Sequence, residues 1–138
     1  MINITDQPID ITEVMRAATD PTAGAVNLFV GTVRDNALNK KVIRLEYEAY
    51  EEMAMAETQK IFEEATERWG LIRWAIAHRV GTLQPGEIAV AVAVSTKHRK
   101  ESFEASQFIM DELKARVPIF KKEVFEDGEE WISALNGK

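Results

Sequence analysis

The sequence contains no cysteine and only 2 histidines. Disulfides, thiolate metal sites and a nucleophilic cysteine are therefore excluded, and any sulfur chemistry has to use sulfur carried by another molecule. Proline and glycine are sparse, at 4 and 7 of 138 residues. No Pro/Gly/Ser linker, internal repeat or low-complexity run interrupts the chain, which predicts one domain over 1–138 with room for a substantial core. No apolar stretch approaches the ~20 residues of a membrane span. The opening "MINITDQPIDITEV" lacks the basic and apolar regions of a signal peptide, so the expectation is a cytoplasmic protein. Excess positive charge is missing too: 17 Lys and Arg stand against 23 Asp and Glu, a net charge of −6. Broad nucleic-acid binding needs a basic face and is disfavoured.

What is present is a chain with 46% apolar and 29% charged residues, too apolar for disorder. Its segments alternate in type. Asp10 or Thr12 can cap a short helix through about Ala18. "GAVNLFVGTVR" reads as a strand in which Gly31 marks a bulge or a close backbone approach. After the polar loop "DNALNKK", "VIRLEYEAY" alternates with period two, setting Ile43, Leu45, Tyr47 and Ala49 on one face. From Glu51 to Trp69 the apolar residues recur at helical spacing, and Gly70 closes the helix. "LIRWAIAHRVG" and "EIAVAVAVST" flank the turn "TLQPGE", and the second strand is apolar on both faces, as a central strand would be. A second long helix runs from about Lys100 to Arg116 and stops before Pro118. A final hairpin follows around Asp127-Gly128. The fold class expected is α+β: a mostly antiparallel sheet with two long helices.

No phosphate loop, dinucleotide fingerprint or paired-histidine metal motif occurs, and no metal ligand is assigned. The candidates for chemistry are cations. "RVPIFKKE", residues 116–123, gathers Arg116, Lys121 and Lys122, with Lys114 just upstream, on an acidic chain. If this segment is extended, Lys121 shares a face with Ile119 and heads inward, opposite Phe120 and Lys122. Neighbouring cations then depress the pKa of the less solvated lysine. Arg116 reads as a surface cation. Lys114 lies four residues after Met110, near a helix C-terminus where the dipole alone favours a cation. "STKHRKE" places His98 and Arg99 at a helix N-terminus, an anion site or simply a helix start capped by Ser95 or Thr96. Arg34 is a loop cation unless its guanidinium points back over Gly31. His78 shares a face with Ile72, Trp74 and Ile76 and reads as a core histidine, with Arg79 an ion-pair residue on the other face. From these residues alone, a catalytic cavity, a module that holds a nucleotide or an acidic tail, and a scaffold with solvated lysines all remain open.

The blocks "FVGTVR", "LEYEAY", "HRVGTLQPGE", "VAVSTKHRKESFEASQFIMDELK", "VPIFKKE" and "DGEEW" occur in this order between residues 24 and 131. In order and spacing the chain resembles the large, catalytic subunit family of molybdopterin synthase. The resemblance implies an α/β-hammerhead fold and a sulfurtransferase without a cofactor. In that reaction a small ubiquitin-like subunit brings a C-terminal Gly-Gly thiocarboxylate. Two sulfurs pass to cyclic pyranopterin monophosphate, forming the dithiolene of molybdopterin. It further implies substrate contacts at Thr32, Val33, Arg34, His98, Arg99, Lys114, Lys121, Lys122 and Glu123. Phe29 and Met110 would line the pocket, and Lys114 and Lys121 would be catalytic. His98 and Lys114 bracket one helix, roughly 24 Å apart along its axis at 1.5 Å per residue. That separation favours a site shared between two copies, in line with the family's homodimer inside a heterotetramer. Phe120 stands where many relatives have tryptophan. Leu135 stands where some have an arginine a few residues after the position of Trp131, so that arginine contact is not carried over.

Overall fold

The computed structural model describes residues 1–37, 39–126 and 128–133, with the backbone alone for 129–133. Three helices and nine strands form among the described residues. The strands lie in two sheets rather than one. In the first, the order is β1 (Ile2–Thr5), β5 (Arg73–Arg79), β7 (Ile88–Thr96), β2 (Ala25–Thr32). In the second it is β3 (Asn36–Ala37), β4 (Lys40–Ala49), β8 (Ile119–Phe125), β9 (Gly128–Ser133), and β6 (Gly81–Leu83) also pairs with β4. Every pairing is antiparallel except β1 with β5.

Helix α1 (Ile11–Ala18) starts at Asp10, whose carboxylate accepts hydrogen bonds from the backbone N–H of Thr12 and Glu13. Helix α2 spans Glu51–Trp69 and ends at Gly70, whose φ of 65° is the left-handed cap that glycine supplies without strain. Helix α3 spans Arg99–Arg116 and ends two residues before Pro118.

Alternation along the central strands decides what each face packs against. Ile76, Val92 and Val94 face α2 and α3 in the main core, with Ile61, Phe62, Ile109 and Leu113. The intervening Ala75, Ala77, Ala91 and Ala93 meet Val14 and Ala18 of α1, where small side chains admit a helix at close range. β7, paired on both edges and covered on both faces, is the central strand its composition predicts.

Three expectations change. The N-terminal Ile2–Thr5 is a strand, added parallel to β5. The "DNALNKK" loop is a small hairpin in which Asn36 and Ala37 pair with Lys41 and Lys40. A register shift between Val42 and Arg44 breaks the alternation of β4: Val42 is buried and Ile43 is exposed, while Leu45 is buried as expected.

Candidate active site

A cavity of about 380 Å³ opens where the first sheet, α3 and β8 converge. That lies within the range of roughly 300–1,000 Å³ typical of small-molecule sites. Its walls are largely apolar, and its polar groups reach it from separate elements for local reasons. Thr32 and Arg34 arrive from the end of β2, where the register shifts after Gly31. A Cβ on Gly31 would stand 2.8 Å from Val90 Cγ1, so glycine is what lets β2 and β7 carry this wall. Met110 and Lys114 come from one face of α3, Phe29 from β2 and Lys121 from β8.

Lys121 is buried because β8 alternates: Ile119, Lys121 and Glu123 are buried, while Phe120 and Lys122 are half-buried. Its ammonium lies 3.9 Å from the carboxylate of Glu123, with side chains 11% and 3% exposed. Burial pushes the Lys121 pKa down, Glu123 opposes that shift, and Lys114 and Arg34 add to it through their positive charge. The field of those two cations at Lys121 means that one small region holds all three. Tyr47, across the ladder from Lys121, also lines the cavity, and burial raises its phenol to about 12.

Thr32, Arg34, Lys114 and Lys121 thus share one cavity with Phe29 and Met110. The other candidates lie elsewhere. Val33 is buried in the core of the second sheet, its backbone bonded to Glu87 and Gly86. Lys122, on the opposite face of β8 from Lys121, reaches Glu46 at 3.3 Å. Glu123 touches the site through Lys121. His98 and Arg99 are exposed at the far end of α3 from Lys114. His98 itself is the N-cap, with no side-chain cap bond. Thr96 donates to the His98 carbonyl at 2.6 Å, and Ser95 bonds to the Arg73 backbone, so neither caps the helix. Leu135 lies outside the described residues.

One reading of a single residue is extended and another corrected. Arg116 is a surface cation with partners: its guanidinium binds Glu64 at 2.8 Å, Glu57 at 3.2 Å and Glu112 at 3.3 Å, tying α3 to α2. His78 is not enclosed by core side chains but lines the cavity, with its ring edge-on to Tyr47 at 5.8 Å. Arg79 does make the expected ion pair, with Glu87 at 3.2 Å. Neither His78 nor Tyr47 is marked by spacing, since a strand face that lines a cavity has the same periodicity as one that lines a core.

A family model for the MoaE protein matches residues 4–116. The chain belongs to the MoaE family. It is 46% identical over 129 residues to the molybdopterin synthase catalytic subunit of Halalkalibacterium halodurans, covering 94% of this chain and 83% of that one. It is 45% identical to the subunit of the same name from Bacillus subtilis, covering 94% and 82%. Among solved structures, molybdopterin synthase from Staphylococcus aureus superposes with a TM-score of 0.90 at 39% identity, covering 95% of this chain and 96% of that chain. The α+β architecture described above is therefore the MoaE architecture, and the cavity is a feature of a MoaE-family chain. Among the described residues no helix is long and apolar enough to cross a membrane.

Proposed function

We propose that this chain is the catalytic subunit of a molybdopterin synthase, a sulfurtransferase of molybdenum cofactor biosynthesis. It takes one sulfur from each of two thiocarboxylated Gly-Gly termini, delivered by copies of a small ubiquitin-like subunit that are left as carboxylates, and places both sulfurs on cyclic pyranopterin monophosphate. The observation that carries this reading is the convergence of Arg34, Lys114 and Lys121 on one largely apolar cavity. The chain offers no sulfur nucleophile of its own, having no cysteine, so the sulfur comes from the partner. The curated relatives are named as catalytic subunits, a name that itself implies a second subunit.

The roles follow from the chemistry of the groups. Arg34 offers a planar fork to the substrate's anionic end. Lys114, at the rim, holds the partner's terminus and assists attack by its sulfur. Lys121, withdrawn from water, stabilises the negative charge that develops on the carbonyl or departing oxygen. Glu123 orients Lys121, and Thr32, Phe29 and Met110 shape the cavity. Because α3 separates His98 and Arg99 from Lys114 by roughly 24 Å of helix, a second copy of the chain supplies them to the shared site. Val33 contributes through its backbone and Lys122 through its ion pair with Glu46 beside the site. The chain acts as one domain in the cytoplasm, as a homodimer within a heterotetramer, and needs no cofactor.

The test is reconstitution: purified chain, thiocarboxylated small subunit and cyclic pyranopterin monophosphate should yield molybdopterin. Tight binding of the small subunit without conversion would instead favour a binding module.

A further inference from the structure

His78 has a fixed tautomer. Its Nδ1 lies 3.2 Å from the backbone carbonyl of Arg79. A carbonyl oxygen only accepts, so Nδ1 carries the proton and Nε2 bears the lone pair. Among the described residues no group donates to that Nε2. The residue is half-buried and lines the cavity. Its place is fixed from three sides: β1 and β7 hold the strand at Ile4 and Val90, and Tyr47 packs edge-on against the ring.

The cations of this cavity can only donate hydrogen bonds. They suit the anionic end of a ligand and give nothing to its N–H groups. An imidazole Nε2 in a low-dielectric wall is a directional acceptor, and burial holds the ring neutral by lowering its pKa to about 4. A pterin presents amide and amino N–H groups at the end of its ring system remote from the phosphate. A buried N–H without an acceptor loses much of its binding energy.

We infer that His78 is a specificity-determining residue whose Nε2 accepts a hydrogen bond from a ring N–H of the bound pterin, on the stretch of cavity wall that it shares with Tyr47. The inference rests on the proposed substrate. It assigns to the neutral wall the task of distinguishing a pterin from other cyclic phosphates of similar charge.

The experiment compares wild type with His78→Phe, which keeps a ring without the acceptor, and His78→Gln, whose amide oxygen can occupy the Nε2 position. With the thiocarboxylated small subunit in excess, KM for cyclic pyranopterin monophosphate should rise about tenfold or more in His78→Phe, with the effect on KM rather than kcat. His78→Gln should recover most of that loss. An unchanged KM in a folded His78→Phe protein would overturn the inference while leaving the proposed function intact; a wild type that makes no molybdopterin would instead remove the function on which it rests. Histidine 15N spectra of the wild type give a reading that needs no variant to fold. His78 should show a protonated Nδ1 in the free protein and an Nε2 signal that shifts when cyclic pyranopterin monophosphate is added. A protonated Nε2 in the free protein, or no shift on saturation, contradicts the assignment.

Discussion

Lys121 stands directly across the β4–β8 ladder from Tyr47, and both residues line the cavity. The pairing fixes the lysine in a wall that water reaches poorly, and this is the first cause of its lowered pKa. A cationic role then has a signature. Activity should fall as pH rises through a value below the ordinary 10.5 of a lysine, because the charge that stabilises the developing oxyanion is lost there. In Lys121→Arg, whose charge persists, that alkaline limb should disappear even if the rate is lower. A rate that rises through the same limb would make Lys121 a neutral base instead.

His78 predicts a pH dependence of stability. Its pKa falls from 6.5 to about 4 on folding, so between those values the unfolded chain binds a proton that the folded chain does not. Stability therefore rises with pH across this window and is lost as pH falls through it. Relative to His78→Gln, wild type should lose about 2 kcal/mol between pH 7 and pH 5. Urea denaturation of both proteins at the two pH values measures the difference, from which the shared carboxylates cancel.

Arg116 predicts a change in stability rather than chemistry. Arg116→Met removes the bond between α3 and α2 and leaves Glu57, Glu64 and Glu112 facing one another. The Tm should fall by about 4 °C, and the gap from wild type should narrow at high salt. Lysine at this position should restore only part of the loss, since a single ammonium cannot span three carboxylates as the guanidinium does.

The proposed sharing of the site between two copies predicts complementation. A His98→Ala chain and a Lys114→Ala chain, each nearly inactive as a homodimer, should regain activity when mixed, because one of the two sites in a heterodimer is then intact. Confirmed heterodimers that remain inactive would place each site within one chain.

The parts of this architecture that were legible in the sequence are those governed by local chemistry. α2 ends where its periodicity stops, at Trp69 and Gly70, and Lys121 faces inward because β8 alternates. What sequence did not reveal depends on tertiary pairing. "INIT" is too short to declare itself a strand and becomes one by adding to the edge of β5. The bulge that buries Val42 and exposes Ile43 inverts an alternation that looked regular. The ion pairs of Arg116 were not legible because two of its partners, Glu57 and Glu64, sit more than fifty residues away on another helix. The cluster of Arg34, Lys114 and Lys121 was legible as a set of cations. Their meeting in one cavity, with His78 and Tyr47 on its wall, needed the fold.

The central claim is that this cavity performs sulfur transfer, and the most direct test is the rate of molybdopterin formation by Lys114→Ala, with its fold verified by circular dichroism. At saturating small subunit and pterin the rate should fall by about a hundredfold or more. A folded Lys114→Ala protein that converts the precursor at the wild-type rate would contradict the account.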